Sequence, residues 1–226
     1  ARAAQQRAER RRTIRMATIV AAGMALVVLA GFLLTRALDT STDVSAAPAG
    51  ASEHGVTVGD PDAPHSVIVY EDFLCPFCGE LEAATREDFE RLAEEGELLV
   101  EYRPFNLLER YGDYSPQSTN AFAVVLEESG PEVAKRFHDL LFDNQPSESG
   151  PFPDTQDLLD LAVEAGAEED EVSEGILEVT MRDWVDEATA AAIEAGVQGT
   201  PTVILDGEVV QGQPQDILDA VLEATA

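Results

Sequence analysis

The order of apolar and polar positions between residues 65 and 105 predicts a strand, a helix and a second strand. β-Branched and aromatic residues form a short apolar run at 65–73 (HSVIVYEDF), which is typical of a buried strand. Apolar residues then recur every three to five positions as far as Gly96, which is the spacing of a helix. A further apolar run at 97–105 (ELLVEYRPF) predicts the second strand. Because a helix joins the strands, we expect a β-α-β unit with a parallel strand pair.

Helical periodicity dominates the middle of the chain. Apolar stripes that end at glycine or proline predict helices around residues 121–126, 133–141 and 158–163, and one long helix from about 170 to 195. We expect these segments to include a helical insertion at about 113–166.

The period changes again near the C-terminus. Two short apolar runs in 200–212 (TPTVILDGEVVQG) flank Asp206-Gly207, a strong signal for a two-residue hairpin turn. Residues 214–226 predict a final helix with Pro214 near its first turn. The complete order is strand–helix–strand, helical insert, and helix–hairpin–helix. This order predicts an α/β, thioredoxin-like fold with an α-helical insertion, preceded by one N-terminal transmembrane helix whose signal is described next.

The N-terminal segment has the pattern of a membrane anchor. Six arginines precede the uncharged stretch 16–35 (MATIVAAGMALVVLAGFLLT). At about 1.5 Å of rise per residue, such a helix is long enough to span a bilayer core of about 30 Å. Because the basic residues precede the stretch, we expect a cytoplasmic tail at 1–15, a single-pass anchor in the cell membrane at 16–36, and an extracytoplasmic remainder. The alternative is a cleaved signal peptide, for which Ala47–Ala49 (APA) offers a small-residue cleavage site.

The remainder is strongly acidic. Residues 37–55 have few large apolar side chains and predict a flexible linker in front of a domain at 56–226. Seven basic and 43 acidic residues follow residue 36, a net charge of −36. Such a surface repels nucleic acid, so we expect no nucleic-acid partner. The acidity is consistent with a saline exterior, where charges are screened within about 3 Å at about 1 M salt, or with a compositional bias of the lineage.

Both cysteines of the chain, Cys75 and Cys78, lie where the first predicted strand meets the helix, with Pro76 and Phe77 between them. A disulfide across two residues closes too short a loop to stabilise the fold much. Reversible redox chemistry is the favoured interpretation. The unpaired N–H groups and the positive dipole end of a helix N-terminus stabilise a thiolate. We therefore expect Cys75 to be the attacking thiolate, with a pKa below about 8.5, and Cys78 to be the resolving thiol.

A metal centre is the alternative that we reject. Zinc and iron–sulfur sites usually need four ligands, and the C-x-x-C pair supplies two. The three histidines, His54, His65 and His138, are scattered along the chain. We interpret His138, in the middle of a predicted helix, as an exposed or boundary residue. The prediction is therefore no metal and no cofactor.

Three segments carry a resemblance to a known family. VIVYEDFLCPFCGELE (67–82), FHDLLFDNQ (137–145) and GVQGTPTVILDG (196–207) resemble the DsbA-like thiol–disulfide oxidoreductases of the thioredoxin-fold superfamily, including membrane-anchored bacterial members. The resemblance covers about residues 56–225. It implies that Cys75 and Cys78 are the catalytic pair and that Pro76 and Phe77, together with Thr200–Pro201, form the active-site loops that bind substrate. It also implies a cis peptide bond before Pro201, whose ring packs against the disulfide.

The sequence departs from the family pattern at two positions. Better-known members carry a buried acid six residues before the first cysteine, where this chain has Val69. Glu71 and Asp72 are nearby, but alternation along a strand sends them to opposite faces, so only one of them can approach the thiols. Phe77 stands where strong oxidases have a histidine, which leaves the redox potential open.

The resemblance implies a membrane-tethered, extracytoplasmic enzyme that introduces disulfides into exported proteins with free thiols. It also implies reoxidation by a membrane partner of the DsbB or VKOR kind. A reductase or isomerase would run the same chemistry in reverse, and a redox-inert scaffold or binding domain would keep the fold alone. A reduction potential near about −120 mV would indicate an oxidase, and one near about −270 mV a reductase.

Overall fold

The computed structural model describes residues 44–226, and the predicted cytoplasmic tail and transmembrane anchor lie outside this range. Within 44–226, no helix combines the length and the apolar character that crossing a membrane requires. The strands of this part are β1 (Val56–Val58), β2 (His65–Glu71), β3 (Leu98–Pro104), β4 (Thr202–Leu205) and β5 (Glu208–Val210). Its α-helices are α1 (Pro76–Glu94), α2 (Tyr114–Ser129), α3 (Pro131–Asp143), α4 (Thr155–Ala165), α5 (Glu169–Leu177), α6 (Arg182–Glu194) and α7 (Pro214–Ala224).

The strands form one sheet in the order β1-β3-β2-β4-β5. β2 and β3 run parallel, with Val67 opposite Val100, and α1 connects them as the apolar pattern predicts. The other neighbouring strands run antiparallel. β4 and β5 are joined at Asp206-Gly207, where φ is 51° and 88°, the positive values that this kind of hairpin turn requires. Helices α2 to α6 stand between β3 and β4, so the α/β fold with a helical insertion is confirmed.

The prediction of one long helix at 170–195 is wrong, because α5 and α6 replace it. Val179, in the connection, has φ 52°, which a helix cannot contain. The buried side chain of Asn120 on α2 holds this break: its Nδ2 donates to the carbonyl of Gly175 (3.1 Å), and its Oδ1 accepts from the N–H of Met181 (2.8 Å). A partner from another helix therefore sets the boundary between α5 and α6.

The sheet separates two apolar clusters. The front face, which carries Val67 and Val69 of β2, packs against α1 and the helical insertion. The back face, which carries Ile68 and Tyr70, packs against the C-terminal half of α6 and the residues that follow it. Both cysteines belong to the apolar cluster of the front face.

Residues 44–50, which lie in the predicted flexible linker, pack on the back face instead. The N–H of Ser45 donates to the carbonyl of Ala195 (2.8 Å), and the N–H of Gly50 donates to the Glu101 carboxylate (2.8 Å). Arg103 donates to two backbone carbonyls of the same segment, each at 3.0 Å. The composition that suggests a linker does not reveal this because the partners are backbone groups and distant side chains.

Candidate active site

The two cysteines lie at the start of α1. Cys75 is the N-cap residue and Pro76 the first helical residue, a position where the missing N–H of proline leaves no helical hydrogen bond unmade. Both cysteines are free thiols. Cys75 is 5% exposed and Cys78 is fully buried. Cys75 is thus the more exposed residue of the two, which is the arrangement expected of an attacking and a resolving thiol.

The loop before β4 meets this motif. The Thr200–Pro201 peptide bond is cis, as the resemblance implies. The thiol of Cys75 donates to the carbonyl oxygen of Thr200 at 3.4 Å, across 125 positions of sequence. Phe77 turns outward and is 64% exposed. The structure therefore brings the two predicted loops together around Cys75 and leaves an apolar side chain in water beside it.

The two thiols have opposite pKa shifts. A hydrogen bond from the Cys78 thiol outweighs burial and, with smaller contributions from the side chain of Thr200 and two backbone N–H groups, lowers the pKa of Cys75 to about 6. Burial, followed by the interaction with Cys75 and the charge of Glu71, raises the pKa of Cys78 well above its ordinary value. The predicted direction for Cys75 is confirmed, but the partner thiol contributes more to it than the helix N-terminus does.

Asp72 holds the turn that leads into Cys75. Its carboxylate is buried, and burial raises its pKa while four hydrogen bonds oppose the rise. The donors, at 2.6–2.9 Å, are the hydroxyl of Ser115 and the N–H groups of Leu74, Leu107 and Leu108. The carboxylate thus joins the motif to the segment between β3 and α2.

Gln145, just after α3, connects the helical insertion to the motif. Its Nε2 donates to the carbonyls of Phe73 and Cys75, each at 2.9 Å. Gly79 provides the space, because a Cβ added there would lie 2.5 Å from the Gln145 side-chain oxygen. Gln145 lies in one of the three segments that resemble the DsbA-like family, but its role does not follow from that resemblance.

A buried ionic group, which we call the front-face cluster, consists of Glu71 at the end of β2, Glu82 of α1 and His138 of α3. Each side chain is at most 1% exposed. His138 Nε2 lies 2.5 Å from Glu71 Oε1, and His138 Nδ1 lies 3.1 Å from Asp139 Oδ1. The prediction that His138 is an exposed or boundary residue is therefore wrong. Its partner Glu71 is 67 positions away, so the local pattern around His138 could not indicate the contact.

The front-face cluster has unsatisfied oxygens. Glu71 Oε2 and both carboxylate oxygens of Glu82 accept no hydrogen bond from residues 44–226. The cluster offers three ligand atoms within 4.8 Å of one another, a number that could hold a metal ion. Protein cations already face the cluster, however: Arg86 Nε is 3.6 Å from Glu82 Oε2, and the hydrogen bond to Glu71 occupies His138 Nε2. We therefore interpret the cluster as an ion network.

Two members of the network have displaced pKa values. Burial raises the pKa of Glu82 to about 7, although nearby cations oppose the rise. Burial lowers the pKa of His138, but the surrounding carboxylates, Glu71 first, outweigh it and raise that pKa to about 9. At neutral pH the imidazole is therefore protonated, and Glu82 titrates much closer to neutral pH than an ordinary glutamate does. The network can therefore exchange a proton under ordinary conditions.

The comparison with known proteins decides the family. The family model described as Thioredoxin matches residues 51–224. The chain belongs to the thioredoxin family. Oxidised DsbA from Mycobacterium tuberculosis is 29% identical, with a TM-score of 0.63 over 76% of this chain and 93% of that chain. Reduced DsbG, a disulfide bond oxidoreductase of the same organism, is 29% identical, with a TM-score of 0.62 over 75% and 86%. This member of the thioredoxin family therefore has the DsbA-like form of the fold.

A curated relative matches over a shorter region. The serine/threonine-protein kinase PknE of Mycobacterium tuberculosis is 30% identical over 125 residues, which are 53% of this chain and 22% of PknE. The thioredoxin-family chain thus spans about a fifth of the length of the curated relatives it matches. The kinase name consequently carries no conclusion about the activity of this chain.

Proposed function

We propose that this protein is a membrane-tethered, extracytoplasmic thiol–disulfide oxidoreductase that introduces disulfides into exported proteins. The observation that carries the proposal is the asymmetry of the two thiols. Cys75 is slightly exposed and has a pKa of about 6, whereas Cys78 is fully buried and has a raised pKa. The likeness to DsbA and DsbG supports the enzyme class.

The catalytic cycle begins with Cys75 and Cys78 joined in a disulfide. A substrate thiolate attacks Cys75 Sγ, the disulfide breaks, and its electron pair leaves on Cys78 Sγ. A second substrate thiolate then attacks the substrate sulfur of the mixed disulfide, and the electron pair leaves on Cys75 Sγ. The substrate gains a disulfide and the enzyme is left reduced. A thiol of low pKa leaves readily, so the state of Cys75 favours the second step.

The same pKa supports the oxidase direction over the reductase or isomerase alternative. Stabilising the Cys75 thiolate stabilises the reduced pair, which makes the disulfide more oxidising. The exposed ring of Phe77 beside Cys75 suits contact with apolar side chains of an unfolded substrate.

The cellular setting rests on the apolar stretch 16–35 and the arginines before it. Substrate disulfides persist outside the cytoplasm, where the proposed location puts the enzyme. Continued turnover requires an oxidant for the reduced pair, and a membrane partner of the DsbB or VKOR kind fits an enzyme that is itself tethered to the membrane.

We assign Glu71 as the carboxylate that passes a proton to the buried thiol. A Cys78 thiolate released in a fully buried site needs a proton, because an uncompensated charge there is costly. The charge of Glu71 acts on the Cys78 thiol, and Glu71 Oε2 has no hydrogen-bond partner within the described residues. Glu71 therefore takes the role that Val69 cannot fill.

Trapping of substrates tests the proposed function. Replacing Cys78 by Ala removes the internal thiol that would release a mixed disulfide from Cys75. Exported proteins should therefore accumulate as adducts that are visible on non-reducing gels. The Cys75→Ala variant should give almost none, because Cys78 is buried and its thiol has a high pKa.

The two variants serve as controls for each other, since each retains one thiol. Equal trapping by both would overturn the assignment of attacking and resolving thiols. A complete absence of adducts in both would favour a redox-inert scaffold.

A further inference from the structure

His138 connects a buried carboxylate to the protein surface. Its Nε2 contacts Glu71, whose side chain is fully buried, and its Nδ1 contacts Asp139, whose side chain is 20% exposed. The imidazole thus has a carboxylate at each ring nitrogen, one in the interior and one that reaches solvent. The three groups form a continuous hydrogen-bonded path of two contacts, at 2.5 and 3.1 Å.

An imidazole between two carboxylates can move a proton. Each ring nitrogen of histidine can hold or release a proton, so a proton can be taken up at one nitrogen while another is released from the other. A lysine or arginine in the same place would fix a charge but would have no second site of this kind. The residue type at 138 is therefore the one that proton transfer requires.

The proposed reaction creates a need for such a path. Each time a substrate thiolate breaks the Cys75–Cys78 disulfide, the departing Cys78 thiolate must take one proton. The Cys78 side chain is fully buried, so bulk water does not reach it. Reoxidation requires the same proton to leave again. The protein group that supplies this proton to the buried thiol must therefore exchange it with solvent.

We propose that His138 is a proton-relay residue that connects Glu71, at the end of the strand that leads into the cysteine motif, to solvent through Asp139. This inference rests on the oxidoreductase function proposed above. When the disulfide is reduced, one proton passes from the Glu71–His138 pair to Cys78, and one proton from solvent enters at Asp139. When the disulfide re-forms, one proton leaves by the same path.

Other titratable groups face the relay from the neighbouring elements. Glu82 and Arg86 approach it from α1, Tyr102 comes from β3, and Lys135 is on the same helix as His138. Lys135 Nζ lies 2.7 Å from Asp139 Oδ1, 3.0 Å from Glu90 and 5.1 Å from the centre of the Tyr102 ring. The carboxylates keep His138 protonated, and the cations keep Asp139 ionised, with a lowered pKa despite partial burial. His138 is thus protonated and can give a proton to Glu71, and Asp139 is ionised and can take one from solvent.

Two substitutions interrupt the relay at different points. His138→Gln keeps a donor for Glu71 but removes the second titratable nitrogen. Asp139→Asn removes the surface acceptor and leaves the Glu71–His138 contact in place. Asp143→Asn is the matched control, because Asp143 lies on the same helix and bonds Arg86 at 2.9 Å without touching His138.

The measurement is the single-turnover rate at which the oxidised full-length protein oxidises a dithiol peptide. It is followed between about pH 5 and about pH 10, in H₂O and in D₂O, together with each variant's reduction potential.

In the wild type, the rate should fall as His138 loses its proton near pH 9. The His138→Gln variant should be slower by about 10²-fold at neutral pH and lack this fall, as expected when a proton carrier is lost. Asp139→Asn should be slower by about tenfold, with a larger solvent isotope effect. The control should match the wild type.

Other outcomes would overturn one proposal or the other. A fall in rate that the change in reduction potential fully accounts for would show a structural ion pair and refute the relay. Unchanged rates in the Asp139→Asn variant, whose altered side chain is partly exposed, would refute it even if His138→Gln failed to fold. A wild-type protein that never oxidises the peptide would instead refute the proposed oxidoreductase function.

Discussion

Two buried ionic groups on opposite faces of the sheet differ in how fully their charges are hydrogen-bonded. On the back face, Arg103 donates to the Glu101 carboxylate at 2.6 Å and to the Tyr70 hydroxyl at 2.9 Å. Backbone groups of residues 47–50 add three hydrogen bonds to this back-face pair, in which Arg103 Nε alone of the guanidinium nitrogens has no partner among residues 44–226. The front-face cluster pairs Glu71 with His138 instead and leaves both oxygens of Glu82 without a hydrogen bond from residues 44–226.

The two groups also differ in whether their charge can change with pH. Arginine stays protonated at any ordinary pH, so the back-face pair is a permanent part of the structure. The front-face cluster is built from groups with pKa values of about 7 and about 9, so its charge can change during a reaction. A fold can thus place a fixed ion pair and a titrating network on two sides of the same strands, and the thiols lie on the same face as the network.

The largest expected effect is a loss of stability that leaves the redox chemistry unchanged. Arg103→Met should lower the free energy of unfolding by about 3–5 kcal/mol, because it leaves Glu101 buried without its cation. Urea denaturation measures this loss, and the reduction potential of the folded fraction should stay unchanged. Arg91→Met is the control, since Arg91 pairs with Asp88 and Glu95 on the surface. A loss that is no greater than that of the control would contradict the description of the back-face pair.

A smaller effect should appear as a pH dependence. The pKa of Glu82 is raised from 4.5 to about 7 in the folded protein, so ionising Glu82 opposes folding. The stability that protonated Glu82 contributes to the folded protein is fully present below pH 4.5 and is lost as pH rises through about 7. Glu82→Gln should therefore be more stable than the wild type above pH 7, by about 1–3 kcal/mol, and should show a flatter stability profile between these values.

Thermal and urea unfolding at several pH values would measure the Glu82 effect. Glu80→Gln, on the exposed side of the same helix, controls for removal of a charge and should leave the profile unchanged. If Glu82→Gln were less stable than the wild type at every pH, Glu82 would have to be fully paired, and the contrast between the two faces would disappear.

The smallest effect concerns the edge of the front-face cluster. Lys135→Met should cost about 1 kcal/mol in unfolding free energy, because the methionine keeps the packing of the stem and the freed carboxylates reach water. Its partners Asp139 and Glu90 are 20% and 44% exposed. Urea denaturation of Lys135→Met and Arg103→Met in the same experiment would compare the two losses of unfolding free energy. A loss in Lys135→Met as large as that in Arg103→Met would show that Lys135 neutralises buried charge too.

The sequence predicts the parts of the site that depend on neighbouring positions. The β-α-β unit and the C-x-x-C motif at a helix start follow from periodicity and from the residues that break it. Glu82 could have been found in the same way, because it lies four positions after Cys78 and so shares its side of α1.

Parts that depend on distant packing could not be found from the sequence alone. His138 looks ordinary within its helix until α3 packs over the end of β2 and brings it to Glu71. The break between α5 and α6 is similar, since Asn120 determines it from α2. Valine rarely adopts a positive φ, so the residue type at 179 gave no sign of the break.

The arrangement of basic residues also governs how fast partners arrive. Three of the seven basic side chains after residue 36, Arg86, Arg103 and Lys135, are paired with carboxylates of the two faces, and the seven together offset only a small part of the charge of 43 acidic residues. The long-range field around the domain is therefore almost entirely negative. Diffusing thiol-bearing chains with a basic character are drawn towards it and acidic ones are slowed, and added salt narrows that difference. Electrostatic steering thus sorts partners by encounter rate before any sulfur reaches Cys75.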